Sequence, residues 1–244
     1  MDPKTEFPTL IETIGEHDEM FAGNPDHYFA VGRSALSLVT TALRLAGRET
    51  CASILDLPCG HGRVMRYFKA AFPDARITGC DLNGPGVDFC AKTFGAIPVH
   101  SRKRIQEVTI ADRFDLIWCG SLLTHVEELH WEPFLSFFAE HLVEGGVMLF
   151  TTHGRLSVKW IRDNRYIYGI EPKRLPRLLA DYHGKGFGYA PYPGSADYGT
   201  TLSAPSYVLQ LIQRHPELRV VLLNETGWDN HQDVYACMRV KDTF

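Results

Sequence analysis

The sequence predicts an α/β fold built on a mainly parallel sheet with helices on both faces, and three observations lead there. Ser53-Ile54-Leu55-Asp56 is a short apolar run closed by an acid, the pattern of a buried parallel strand at its carboxyl end. A turn of small residues follows, with Gly60 and Gly62 one position apart. Val64, Met65 and Phe68 then recur at helical spacing, so a helix begins near Gly62. The same alternation repeats downstream, first as the strand Arg76–Cys80 and a helix over 86–94, opened by Asn83-Gly84-Pro85-Gly86.

A strand, a glycine turn and a helix present backbone N–H groups and the positive end of a helix dipole to a ligand. Glycine is needed because a Cβ blocks close approach or forbids the turn's dihedrals. A dinucleotide fingerprint requires a third small residue for close helix packing, but that position, counted from Gly60, is Met65. A nicotinamide dehydrogenase is therefore disfavoured. What stands here is acid-x-x-x-G-x-G from Asp56 to Gly62, with a second acid, Asp81, closing the next strand about twenty residues on.

This arrangement resembles motif I of the class I S-adenosylmethionine-dependent methyltransferases, in particular bacterial members whose turn reads D-x-P-C-G-x-G-R. The resemblance spans roughly residues 30–153 and 218–240. It implies a Rossmann-like seven-stranded mixed sheet with helices on both faces and the last strand antiparallel. It also implies that Asp56, Pro58, Cys59, Gly60, Gly62 and Arg63 receive the methionine end of S-adenosylmethionine, and that Asp81, with Leu82, holds the ribose. Cys119 and Gly120 follow the fourth strand, where relatives approach the sulfonium. Tyr28 and Arg33 belong to a flank that covers the cofactor in relatives. The family often places an acid after the third strand for the adenine amine; His100-Ser101 stands here, leaving Ser101 as the candidate contact.

With 244 residues, 45% of them hydrophobic, the chain is long enough for one α/β domain with a sizeable core. A net charge of −4 gives no general attraction to phosphate backbones, which disfavours nucleic acid as a substrate. The resemblance points the same way, since the family's Asn-Pro-Pro-Tyr signature for exocyclic amines of nucleobases or glutamine is absent after the fourth strand. The N-terminal stretch lacks the basic and apolar regions of a signal peptide, and no apolar run reaches membrane-spanning length. The six cysteines show no C-x-x-C spacing, so they read as small buried hydrophobes in a reducing cytoplasm, with no metal site expected.

The remaining elements follow in order. Residues 1–30, punctuated by Pro3, Pro8 and Pro25, predict a helical flap, and 32–48 an amphipathic helix against the sheet. Short strands are expected at Ala96–Val99 and Phe114–Cys119, then a helix from Trp131 to Leu142, capped by Glu144-Gly145-Gly146, then the strand Val147–Thr152. Residues 154–206 form an insertion between the fifth and sixth sheet strands. Within it, Tyr182–Thr201 holds five glycines, four tyrosines and two prolines, which predicts an ordered Ω-like loop serving as a lid. A helix over Pro205–Arg214, with Ser203 as N-cap, precedes two closing strands at Leu218–Asn224 and Gln232–Val240.

Ligands in open α/β sheets lie beyond the carboxyl ends of the strands. That rule selects three histidines as candidate general bases: His231, in the tip Gly227–His231 with Asp229 and Asp233 near it, then His153 and His125. The expected reaction is methyl transfer to a small-molecule, sugar or lipid-like acceptor, at oxygen. The alternative is a non-catalytic S-adenosylmethionine-binding module whose aromatic loop serves a protein partner.

Overall fold

The computed structural model describes residues 10–195 and 197–241. The helix α1 (Pro25–Leu45) leads into β1 (Ser53–Asp56), α2 (Met65–Ala71), β2 (Arg76–Asp81), α3 (Gly84–Phe94), β3 (Ile97–His100) and β4 (Phe114–Cys119). The second half runs through α4 (Glu128–His141), β5 (Leu142–Thr152), α5 (Arg155–Arg162), α6 (Leu175–Lys185), β6 (Phe187–Pro191), β7 (Gly199–Ser203), α7 (Pro205–Ile212), β8 (Leu218–Trp228) and β9 (Gln232–Arg239).

Seven strands form one sheet in the order β3-β2-β1-β4-β5-β9-β8. β1 to β5 are parallel, and β9 runs antiparallel to both its neighbours. Alternate residues of each strand serve opposite faces. Leu116 and Trp118 of β4 join the core beneath α1, α2 and α3. Ile117 and Cys119 join the core beneath α4 and α7. The expected mixed sheet, with helices on both faces and an antiparallel last strand, is therefore what forms. The strand order reverses between β1 and β4, which opens a crevice at their carboxyl ends.

Three local expectations are corrected. Residues 10–24 contain no helix; they form an irregular strap, while the rest of the proposed flap, 1–9, lies outside the described residues. The strap is held from below: the buried Arg66 guanidinium donates to the Ile11 and Thr13 carbonyls at 2.8 and 3.1 Å. Gly145 does not cap α4, whose C-cap is Leu142. It takes φ +71° inside β5, close to where pairing with β4 shifts register between Phe114 and Leu116. The cap of α7 is Ala204 rather than Ser203, and no side chain caps it.

The stretch expected to be an Ω-like loop is largely a β-hairpin. β6 and β7 pair antiparallel from Phe187↔Ser203 to Pro191↔Gly199, leaving only 192–198 as a tip. Phe187 and Ala190 bury on opposite faces of β6, so the strand shows no simple alternation in the sequence. The insertion keeps its own small core of Val158, Ile161, Tyr168, Ile170, Leu178 and Leu202. It docks by strand-like hydrogen bonds, Gly199 N–H to His125 O at 3.0 Å and Thr201 N–H to Thr124 O at 2.8 Å.

Candidate functional site

A cavity of about 410 Å³ opens at the reversal point of the sheet. Three strand ends contribute: Asp56, Pro58, Cys59 and Gly60 at β1, Asp81 and Leu82 at β2, Trp118, Gly120 and Ser121 at β4. The strap supplies Asp18, Glu19 and Met20, and the insertion tip supplies Tyr198.

The turn itself is fixed by Asp81. Its Oδ2 accepts from the Gly60 N–H at 2.7 Å and its Oδ1 from the Asn83 N–H at 2.9 Å, so one carboxylate ties the glycine turn to the start of α3. Gly60 and Gly62 both hold positive φ, +50° and +77°, yet they do different things. A Cβ on Gly60 meets nothing within 4 Å, because that side is the cavity. A Cβ on Gly62 lands 2.3 Å from the Phe94 ring, so Gly62 is required for packing α3 against the turn.

Asp56 is the anomaly of the site. It is 1% exposed, and its Oδ2 has no hydrogen-bond partner. Burial, and then the neighbouring Asp81, hold its carboxyl well above the ordinary range. The opposite wall carries Arg63, stacked 5.6 Å over the Trp228 ring. Trp228 meets Trp118 edge-on at 5.3 Å, with its indole N–H bonded to Val31 O at 3.1 Å.

The other expected cofactor residues lie off the lining. Tyr28 is 1% exposed; its hydroxyl donates to Asp18 Oδ2 at 2.6 Å and accepts from Arg66 at 3.1 Å, which sets Asp18 at the cavity wall. Arg33 stands on α1 and Cys119 is buried in β4. The Ser101 N–H donates to the Asp81 carbonyl at 2.8 Å.

The three histidines form a row, with ring centroids 6.1 Å apart from His125 to His153 and 5.8 Å from His153 to His231. Of these three, His125 alone lines the cavity. Its Nδ1 lies 2.8 Å from the Gly199 carbonyl, an acceptor only, so Nδ1 carries the proton. Nε2 is then the basic nitrogen, and it makes no hydrogen bond among the described residues. Burial, opposed by that Gly199 bond, lowers the His125 pKa below the usual value. His153 is fully buried against Tyr168, its pKa lowered further by burial and by its two histidine neighbours. His231 stacks on Trp160 at 5.6 Å. Asp233 does not face it: Asp233 Oδ1 accepts from Thr226 N–H at 2.9 Å, whereas Asp229 Oδ2 lies 4.0 Å from His231 Nδ1.

Several lining residues carried no legible signal. Asp18 and Glu19 sit on the irregular strap where a helical flap was expected, and Ser121 lies in the loop after β4. Ser121 adopts φ +62°, a strained state for a residue with a Cβ, and strain of this kind collects at functional sites.

Residues 55–148 match the family model described as a methyltransferase domain. A fatty-acid O-methyltransferase of Mycolicibacterium smegmatis is 31% identical over 104 residues, covering 40% of this chain and 36% of that protein. A malonyl-[acyl-carrier protein] O-methyltransferase of Acetivibrio thermocellus is 23% identical over 140 residues, covering 56% of this chain and 49% of that protein. The chain thus spans between about a third and half the length of these relatives. Among solved structures, an S-adenosylmethionine-dependent methyltransferase from Clostridium acetobutylicum aligns with TM-score 0.59 at 13% identity, over 86% of this chain and 92% of that one. The fold is that of a class I methyltransferase.

The residues present fit S-adenosylmethionine. Four carboxylates, Asp18, Glu19, Asp56 and Asp81, line the cavity against one arginine, and the Asp56 oxygen is left without a partner. A ligand bearing a sulfonium and an ammonium suits that lining. A pyrophosphate does not.

Proposed function

We propose that the chain binds S-adenosylmethionine in this cavity and catalyses methyl transfer to a small-molecule acceptor at oxygen, with His125 as general base. The observation that carries the reading is the buried Asp56 carboxylate, without a partner on one oxygen, at the end of β1 beside the glycine turn. Asp81 is positioned to accept hydroxyl protons from a ribose while holding the turn. When bound, the cofactor supplies an electrophilic methyl, and the transfer converts a sulfonium into a neutral thioether.

The protein's part is alignment, exclusion of water and proton removal. Water is excluded by the Trp118–Trp228 wall and by the hairpin tip bearing Tyr198. The tautomer fixed by Gly199 leaves the lone pair of Nε2 available to an acceptor proton. Relatives named as O-methyltransferases support oxygen as the acceptor atom. His153 and His231 stand behind His125 as an aromatic-lined row rather than at the cavity. Among the described residues no helix is long and apolar enough to cross a membrane.

Titration calorimetry tests the cofactor. S-adenosylmethionine and S-adenosylhomocysteine should bind and NAD should not; NAD binding without S-adenosylhomocysteine binding ends the reading. Saturation at a hundred times the dissociation constant should stabilise the fold by about 2.7 kcal/mol. Turnover with any acceptor separates an enzyme from a non-catalytic binding module.

A further inference from the structure

We infer that Ser121 and His125 form the acceptor subsite, and that it takes an uncharged hydroxyl on a flat apolar frame rather than a carboxylate; this rests on the methyltransferase reading above.

Ser121 is clamped by a closed ring of hydrogen bonds. Its N–H donates to Thr151 Oγ1 at 2.7 Å, Thr151 Oγ1 donates to Gln232 Oε1 at 2.6 Å, and Gln232 Nε2 donates back to Ser121 Oγ at 3.1 Å. Since Thr151 fixes the amide oxygen, the Gln232 N–H must face Ser121. Thr124 Oγ1 donates to the Ser121 carbonyl at 2.7 Å, which commits the threonine proton. The remaining contact, Ser121 Oγ to Thr124 Oγ1, is 3.4 Å, long for a hydroxyl pair. The Ser121 oxygen is therefore occupied as an acceptor, and its own proton is available to a ligand in the cavity. β4, β5 and β9 all contribute to holding one serine in a strained backbone state.

Charge then selects the acceptor. A carboxylate acceptor would need a cation to hold it, and Arg63 is the lining arginine. Arg63 stacks its guanidinium on Trp228 and shares the lining with Asp18 and Asp56. Lys103 pairs with Asp197, the neighbour in sequence of the lining Tyr198, at 3.1 Å. With Glu19 and Asp81 also in the wall, a carboxylate is repelled and a neutral group is not. An ammonium has no lone pair for the Ser121 proton, so the fitting group is a hydroxyl, whose oxygen accepts from Ser121 and whose proton faces a base. Trp118, Trp228, Leu122, Met20 and Tyr198 supply apolar and aromatic walls for its frame. As the oxygen–methyl bond forms, the hydroxyl proton passes to His125 Nε2 and the carbon–sulfur electron pair stays on sulfur.

Two probes that share one frame test this: 2-naphthol and 2-naphthoate, titrated at pH 7.5 into protein saturated with S-adenosylhomocysteine. The naphthol should bind at least tenfold more tightly than the naphthoate. Ser121→Ala and Gln232→Leu should each weaken the naphthol at least fivefold while S-adenosylhomocysteine affinity stays within about twofold. Equal or tighter naphthoate binding overturns the inference, as does a complex that binds neither probe, or variants that bind naphthol like the parent. Failure of S-adenosylhomocysteine itself to bind is a separate result that removes the cofactor reading instead.

Discussion

Three residues of the site lend themselves to single substitutions with different outcomes. Asp81→Ala removes the acceptor of the Gly60 and Asn83 amides and the proposed partner of a ribose. Charged hydrogen bonds of about 1.5–3 kcal/mol should cost ten- to a hundredfold in S-adenosylhomocysteine affinity, with a modest fall in melting temperature. Calorimetry showing parental affinity would mean that the carboxylate faces no ligand. Gly62→Val should instead unfold the turn, because its side chain meets Phe94 rather than the cavity. His125→Ala should lower the chemical rate by roughly a hundredfold or more with cofactor affinity retained. The sign of its pH effect follows from burial: a lowered imidazole pKa keeps the base neutral at pH 7, so the parental rate should fall only as pH drops below 6.5. The variant should lack that limb; if it keeps both limb and rate, the proton goes elsewhere or no base acts.

At the scale of elements, what was legible in the sequence depended on periodicity. β1, β2 and β4 were read nearly to the residue because buried parallel strands are short apolar runs, and Asp56 and Asp81 followed from where those runs stop. The hairpin was missed since glycines, threonines and a proline interrupt its pairing residues, and its burial is divided between the main core, through Phe187, and the insertion's own core, through Ala190 and Leu202. The strap was missed for the opposite reason: it has no repeating element, and Arg66 holds it through backbone carbonyls that no side-chain pattern reveals. Choosing among the histidines needed the path of the hairpin, because Gly199 fixes the His125 tautomer from 74 positions away. The same geometry changes how a lid is tested. Removing 186–199 would strip Phe187 and Ala190 from the cores, so only the tip should be shortened. Replacing 193–197 with Asn-Gly, a two-residue hairpin turn, removes Asp197 and displaces Tyr198 while leaving β6 and β7 paired. Turnover should drop at least tenfold with S-adenosylhomocysteine affinity nearly intact; a parallel loss of affinity would make the tip part of the cofactor site.

For the whole molecule, the acidic limb of stability is set by buried groups that pull in opposite directions. His153 and His125 have lowered pKa values, so between those values and 6.5 the unfolded chain binds more protons and stability rises with pH. Asp233 is the counterweight. It is fully buried with Oδ2 unpartnered, and burial raises it from 3.8 to about 6. In that window the folded chain binds more protons, so stability falls as pH rises. A shift of that size corresponds to at most about 3 kcal/mol. Asp233→Asn keeps an oxygen for the Thr226 N–H and removes the charge. Relative to the parent, the variant should therefore gain stability as pH rises from 4 to 6 and hold that gain above it, whereas at pH 4 the two should nearly coincide. Urea midpoints at pH 4.5 and 7 measure the difference directly. Parent and variant curves that stay parallel across that range would show that Asp233 is ionised in the folded state throughout, with a partner on Oδ2 that neutralises it.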